Sequence, residues 1–347
     1  MRQDEAARYV DAVCRELQLR ADYIGDKQVG TVYFGGGTPS RLTPEQLGRI
    51  ISAIDSLFGL NNLLELTVEC NPDDITPGYM AALHSLGVNR ISMGVQTFND
   101  DLLCFLRRRH TAEQALDAVR ICRESGMTNI SIDLMYGLPG QTLEMFRTDL
   151  DTALSADVSH ISSYCLSFEE NTPLLAMREQ GRITPADDEL CSRMFDLMCR
   201  TLHGGGFEHY EISNFCRPGF HSRHNSSYWD GTPYLGVGAG AHSYNGSSRQ
   251  WNPSDLDAYM IGVEQCNPPY EIENLSESDI YNEKIMLSLR TARGLNLAGL
   301  SDTDSAKLLE SARKYLSDGS LVITDNHLRI PESGMFISDL LIASLFC

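Results

Sequence analysis

The sequence lacks the surplus of positive charge that a nucleic-acid binder needs. Lys and Arg number 28 against 47 Asp and Glu, a formal net charge of −19. Displacing counterions from a phosphate backbone takes a basic surface, so nucleic acid is excluded as an electrostatic partner. The acidity itself reads as solubility. No apolar run approaches the roughly 18 residues that would suggest a membrane helix. The opening stretch MRQDEAARYVDAVCRELQLRADYIG is charged and amphipathic, unlike a secretory signal, and a cytoplasmic protein is expected. Metal-ligand spacing is missing as well. The ten cysteines, at 14, 70, 104, 122, 165, 191, 199, 216, 266 and 347, are dispersed, with no CxxC among them. They fit no zinc or iron–sulfur pattern and read as reduced, mostly buried thiols.

What is present is an ordinary globular composition, 42% hydrophobic and 22% charged, over 347 residues. That length suits one large domain and a smaller one. The most informative stretch is Tyr33-Phe34-Gly35-Gly36-Gly37-Thr38-Pro39-Ser40. Strand-forming residues run straight into bare backbone, and glycine without a Cβ lets a ligand approach the main chain. A tight strand–helix turn would use the same glycines, so this motif alone leaves both readings open.

Strand and helix patterns alternate along the first 215 residues. Strands are expected at about 31–35, 63–71 and 90–98, at the start of 129–142, in 160–174 before it runs into a loop, and at 207–215. Helices are expected at 1–25, 44–57, 77–87, 111–125, from 142, and at 187–204. A repeat near 30 residues with almost wholly apolar strands predicts parallel βα units covered on both faces. Units that do not reverse their order predict a barrel or part of one, with the active site at the C-terminal strand ends. Gly35 to Gly37, Glu69, Gln96, Asp133 and Tyr164 all fall at or near those ends, which points to one ligand site.

The stretch from 217 to 246, rich in Gly, Ser, Asn, His and aromatics, reads as an ordered functional loop region, because Tyr228, Trp229, Tyr234 and Leu235 need burial. From 276 to 347 the pattern is helix (277–292), helix (303–316), hairpin (321–330) and helix (334–346), a small α-rich arrangement of winged-helix type. The acidic composition argues for a packing or lid role there.

YFGGGTPS, TVECNP, ISMGVQTF, LRRRH, SIDLMYGLPGQT, HYEISNF, HNSSYW, YLGVGAGAHS and MLSLRTARGL together resemble the radical S-adenosylmethionine (SAM) proteins of the oxygen-independent coproporphyrinogen oxidase family. Within it they are most similar to the HemW-type haem chaperones, because His224-Asn225-Ser226-Ser227-Tyr228-Trp229 matches their HNxxYW signature. The resemblance implies an α/β fold: a partial (β/α)6-type radical SAM barrel at 1–215, the HNxxYW and Gly-rich linking region at 216–275, and a C-terminal domain at 276–347.

It also implies roles. Gly36, Gly37 and Thr38 would meet the SAM ammonium group through carbonyls and a hydroxyl, since ammonium needs acceptors. Glu69, Gln96, Arg108 and Asp133 match positions contacting the SAM ribose and carboxylate, as suits Arg for a carboxylate and Asp for hydroxyls. Arg107-Arg108-Arg109-His110 also reads as a solvated basic turn. Gly137, Leu138 and Pro139 would shape a wall beside the adenine. His224 is the candidate haem ligand, with Tyr228 and Trp229 to pack on the porphyrin, and His242 is the second choice, ahead of His209 and His221. A structural histidine in a Gly/Ser-rich loop is the competing reading of His224.

The family chemistry rests on a CxxxCxxC loop whose thiolates hold a 4Fe-4S cluster, and this sequence has no such motif. The expectation is a chain truncated before its first barrel strand, and so inactive as a radical enzyme as it stands. A gene start placed at an internal methionine, or a true pseudo-enzyme, would leave the same gap. The strand at 31–35 is then expected at an unpaired, aggregation-prone edge, in a chain that folds poorly alone. The implied function is binding haem and SAM and delivering haem to respiratory acceptor proteins, a role compatible with peripheral membrane association. The alternatives are oxidative decarboxylation of coproporphyrinogen III to protoporphyrinogen IX, and a SAM enzyme acting on an unrelated substrate.

Overall fold

The computed structural model describes residues 3–25, 28–170 and 172–346. Its main sheet has seven strands in the order β1-β2-β3-β4-β5-β7-β6: β1 (Thr31–Phe34), β2 (Glu65–Cys70), β3 (Arg90–Gln96), β4 (Ile130–Tyr136), β5 (His160–Cys165), β6 (Glu208–Glu211) and β7 (Asn214–Cys216). β1 to β5 are all parallel and lie in sequence order. Helical connections of one hand therefore curl the sheet into a partial barrel and bring the C-terminal strand ends to one rim.

The helices of this part are α1 (Gln3–Leu19), α2 (Pro44–Phe58), α3 (Pro77–Ser85), α4 (Asp100–Phe105), α5 (Ala112–Glu124), α6 (Leu143–Ser155), α7 (Pro173–Glu179) and α8 (Asp188–Gly204). Their starts follow from the sequence. The hydroxyls of Thr43, Thr76, Thr111 and Thr142 each accept the backbone N–H three residues on, which removes one orphan donor per helix. The core lies between helices and sheet, with Leu47, Leu66, Met80, Leu83, Ile91, Met93, Phe146 and Phe215 fully buried.

The stretch expected to be a single strand at 207–215 is a hairpin. β6 and β7 are antiparallel, joined at Ile212 and Ser213, with an irregularity between His209 and Glu211. No Gly or Asn announces this turn. Partners far along the chain hold it instead: Ile212 N–H donates to Arg290 O at 2.9 Å, and Ser163 N–H donates to Ser213 O at 2.8 Å.

The linking region at 216–275, whose first half reads as loop, carries regular structure of its own. It contains α9 (Arg223–Trp229), α10 (Leu256–Glu264) and a second sheet of β8 (His242–Tyr244), β9 (Ser248–Trp251) and β10 (Glu271–Asn274). These strands are three or four residues long, too short for a clear alternation signal. Buried Glu16 ties α1 to this region. Its carboxylate accepts from Arg20 (2.8 Å), Asn252 Nδ2 (2.8 Å), the Tyr259 hydroxyl (2.8 Å) and Gly238 N–H (2.9 Å).

The C-terminal stretch contains α11 (Glu277–Leu289), α12 (Asp302–Ser317), a third sheet of β11 (Leu295–Asn296), β12 (Val322–Thr324) and β13 (His327–Arg329), then a 3-10 turn (Glu332–Ile337) and α13 (Ser338–Ala343). Asp325 and Asn326 make the β12–β13 turn with φ of 49° and 62°, as two-residue hairpins demand. The helix expected at 334–346 is thus split, with its first part tightened to 3-10 geometry. No helix among the described residues is long and apolar enough to cross a membrane.

Candidate functional site

The rim of β1 to β5 assembles the polar residues read from the sequence. β1 ends in Gly35, where an added Cβ would lie 2.4 Å from the Tyr33 ring and 2.8 Å from Glu69 Oε1. Any side chain there would break the bond in which the Tyr33 hydroxyl donates to Glu69 Oε1 at 2.7 Å. Gly36 and Gly37 follow with φ of 71° and 144°, exposed, with nothing within 4 Å of a built Cβ. Both hold a backbone conformation that other residues rarely adopt, with open space on the side where a Cβ would stand. Thr38 caps nothing with its side chain.

Gln96, at the end of β3, has φ of 72° beside an irregularity in the β3–β4 pairing. A non-glycine residue held in this region costs on the order of 1–3 kcal/mol and persists only where its surroundings enforce it. Here the next two residues are pinned. Buried Asp149 of α6 accepts from Thr97 Oγ1 at 2.8 Å and from Phe98 N–H at 2.7 Å. Burial still pushes Asp149 up to about 6.

Gln96, Asp133, Met135, Tyr164, Cys165, Leu166 and Ser167 line one pocket of about 420 Å³. Asp133 is the unusual group in it. Burial first, then the nearby Glu69 charge, push its carboxyl up to about 7, against a hydrogen bond from Ser162 and the charges of Arg90 and Arg108. Glu69 is also raised, by burial, despite its bonds to Tyr33 and Gly36. Two carboxyls that resist ionisation together favour a ligand bringing positive charge and hydroxyl donors.

Arg108 is no solvated turn. Its Nη2 donates to Asn71 Oδ1 at 2.8 Å and to Gly94 O at 2.7 Å, while Nε is buried without a protein acceptor. Arg109, by contrast, is exposed and pairs with Asp73 at 2.8 Å. His110 is buried, its Nε2 against Val95 O at 3.1 Å. Of the expected adenine wall, Leu138 is fully buried in the core and Gly137 backs onto the thiols of Cys191 and Cys165. Sequence reasoning misses Tyr33 and Asn71 as site residues. Both sit inside the family motifs, and each orients a group, Glu69 or Arg108, that lies far from it along the chain.

Bare backbone at Gly36 and Gly37, an orphaned guanidinium N–H and a strand-end carboxyl pair fit the polar end and ribose of SAM. They do not extend to a four-iron cluster. Among the described residues no three cysteine thiols converge, and each of the two metal-competent groups contains a single cysteine.

A second cluster lies against β1, which stands at the sheet edge among the described strands. α9 packs there and carries His224. The His224 ring stacks on Tyr33, centroids 4.8 Å apart and 19° from parallel. Its Nδ1 lies 2.8 Å from Thr31 Oγ1, and its Nε2 lies 3.0 Å from the Tyr228 hydroxyl. Burial pushes its pKa down to about 4, so the ring is neutral at pH 7. His242 is exposed on β8 and stacks on Trp251 at 6.2 Å. The other two histidines are engaged elsewhere: His209 meets Glu332, and His221 lies 3.7 Å from Glu208.

Comparison with known proteins places these features. The model of the Radical SAM superfamily matches residues 8–153, and that of the HemN C-terminal domain matches residues 275–337. The chain is 33% identical over 339 residues to the heme chaperone HemW of Mycobacterium tuberculosis, covering 97% of this chain and 86% of that one. It is 36% identical over 290 residues to heme chaperone HemW of Bacillus subtilis, covering 83% and 76%. Among solved structures, coproporphyrinogen III oxidase (HemN) from Escherichia coli superposes with a TM-score of 0.84 at 24% identity, over 100% of this chain and 84% of that one. That likeness establishes the partial-barrel fold, and the sequence relatives settle the lineage: the chain belongs to the HemW heme chaperone family, within the radical SAM superfamily.

Proposed function

We propose that this chain binds haem and SAM and hands haem to acceptor proteins, respiratory haem proteins among them, in the cytoplasm or at a membrane surface. The relatives named above are heme chaperones, and the single observation that carries the reading is the setting of His224. Thr31 and Tyr33 orient its ring through Nδ1 and through stacking. That leaves Nε2 directed at the partly exposed Tyr228 hydroxyl, a partner that rotation of one side chain removes. An imidazole anchored on one nitrogen and neutral at pH 7 is suited to an iron axial position.

At the other site Arg108 is the carboxylate partner of SAM, the Gly36 and Gly37 carbonyls and the Thr38 hydroxyl take the ammonium group, and Asp133 with Gln96 takes the ribose. Glu69, held by Tyr33, keeps the first strand end in place for that contact. Haem supplies an iron with an open axial position, and SAM supplies a sulfonium beside an ammonium–carboxylate end. In this reading the chain's own residues bind and orient both. The oxidase alternative draws only on a shared fold, and fold alone does not carry function.

The test is a haem titration of the full chain followed by absorbance, with His224→Ala and His242→Ala beside it. The expected result is a Soret band in the parent chain and in His242→Ala, shifted and at least ~10-fold weaker in His224→Ala. A His224→Ala chain that binds like the parent removes the axial assignment. No haem binding by the parent chain removes the chaperone reading.

A further inference from the structure

Three elements distant in sequence converge away from the rim described above. α8 presents Cys199 and, one turn on, His203. β6 presents His209, and the 3-10 turn after β13 begins with Glu332. The ligand atoms of Cys199, His209 and Glu332 all lie within 4.8 Å of one another.

The hydrogen bonding around the two histidines is the informative part. His209 Nδ1 lies 2.8 Å from Glu332 Oε1, and His203 Nε2 lies 2.7 Å from the same oxygen. The outer nitrogens face main-chain carbonyls, His203 Nδ1 at 3.0 Å from Phe207 O and His209 Nε2 at 3.4 Å from Ile212 O. Each ring thus has an acceptor on both nitrogens, but a neutral imidazole carries one N–H. Once that N–H serves the carbonyl, a lone pair is left facing an anionic oxygen. The His209 side chain is only 5% exposed. It lies flat on Phe215 with centroids 4.0 Å apart and edge-on to Phe195 at 6.0 Å, so a charge on the ring itself is expensive there. A cation between the lone pair and the carboxylate removes the conflict.

We propose that Cys199, His209 and Glu332 form a binding site for a borderline-soft divalent metal ion of zinc type, which clips the turn at 332–337 to α8 and β6. The donor set of one sulfur, one nitrogen and one oxygen suits such an ion and not calcium or magnesium, which take oxygen ligands. A carbonyl behind the outer nitrogen of the ligating imidazole is the usual support for a metal-bound histidine. Bond lengths of about 2.0–2.3 Å put tetrahedral ligands about 3.3–3.8 Å apart. His209 and Glu332 therefore open by about half an ångström, and Cys199 closes by up to about one. Glu332, 42% exposed, has room to do so. His203 holds the carboxylate from outside and is a positioning residue, and solvent takes the fourth place. On binding, the thiol proton of Cys199 passes to solvent. The thiolate and carboxylate then neutralise the two positive charges, so no net charge is left beside the buried Cys199 and the His209 ring.

The probe is Co2+ titrated into the full chain after chelation and without haem, which keeps the result independent of the haem reading. The parent chain is expected to take one equivalent with a thiolate-to-cobalt charge-transfer band that Zn2+ abolishes, and to melt higher with Zn2+ than with chelator. Cys199→Ser loses the band and the melting shift. His209→Ala binds at least ~100-fold more weakly, and His203→Ala about 10–100-fold more weakly with the band retained. A Cys199→Ser chain that melts like the chelated parent shows that the site was lost and not the fold. The second metal-competent group, Glu208, Cys216 and His221, is the control. No band in the parent, a band surviving in Cys199→Ser, or a band lost in Cys216→Ser instead overturns the proposal.

Discussion

The carboxylate of Glu65, at the start of β2, closes the first turn of the helix that carries His224. Glu65 Oε1 accepts the His224 backbone N–H at 3.0 Å, and Oε2 accepts that of Arg223 at 2.9 Å. A buried carboxyl side chain that takes two helix-start donors secures α9 to the edge of the main sheet. Replacing Glu65 by Ala leaves both donors orphaned. The expected cost is about 1–3 kcal/mol in urea unfolding, with faster amide exchange confined to 222–230 and weaker haem binding. Unchanged exchange there would show that α9 is held by its apolar contacts instead.

Arg108 makes its two described bonds through one nitrogen, to Asn71 and Gly94, and leaves Nε for a ligand. Arg108→Ala should weaken SAM binding about 10–100-fold by calorimetry, as expected for a charge-assisted hydrogen bond of about 1.5–3 kcal/mol. Arg108→Lys recovers little of it, because a point charge cannot replace the planar fork. Full recovery by Lys would mean that only the charge matters.

Asp133 should make SAM affinity depend on pH. Its carboxyl is held up to about 7, so it is protonated in mild acid and ionised above neutrality. Ionised Asp133 attracts a cationic ligand and accepts two hydroxyl bonds, so affinity rises from about pH 6 to 8. In Asp133→Asn this component is missing, and what slope remains belongs to the ligand. The sign for stability is the opposite. The folded pKa exceeds the unfolded value near 3.9, so the folded state binds the extra proton, and stability falls as pH rises from about 4 through 7. The slope is at most about 1.4 kcal/mol per pH unit. Melting curves of the parent chain and Asp133→Asn should converge at the acid end and separate towards about pH 8, with Asn the more stable.

Glu16, fully buried on α1, serves four donors at once. Glu16→Ala leaves the Arg20 charge buried without its partner, which costs about 3–5 kcal/mol. The midpoint of denaturant unfolding reports it. A loss below about 1 kcal/mol would mean that Ser243, Gln250 and the Gly236 carbonyl, which also bind Arg20, suffice.

Much of the main sheet is legible in the sequence because its signals are local. Thr43, Thr76, Thr111 and Thr142 cap within three residues, and strands buried on both faces read as apolar runs between helices. The β6–β7 hairpin is illegible for the converse reason, since Ile212 and Ser213 turn only because Arg290 and Ser163 hold them. Gln96 reads as a strand-end polar group, but its positive φ is not foreseeable, because the clamp on its neighbours comes from Asp149 of another helix.

By itself the sequence determined the order of the βα units, the bare backbone after β1, and the family to which the motifs point. Those properties rest on hydrogen bonds and burial patterns spanning a few residues to one repeat. Only the tertiary structure decided that Glu65 would cap a helix 158 residues away, and that His209 would meet Glu332 across 123 residues. Such meetings depend on how the sheet curls and which edge a later helix covers, and no local preference encodes either.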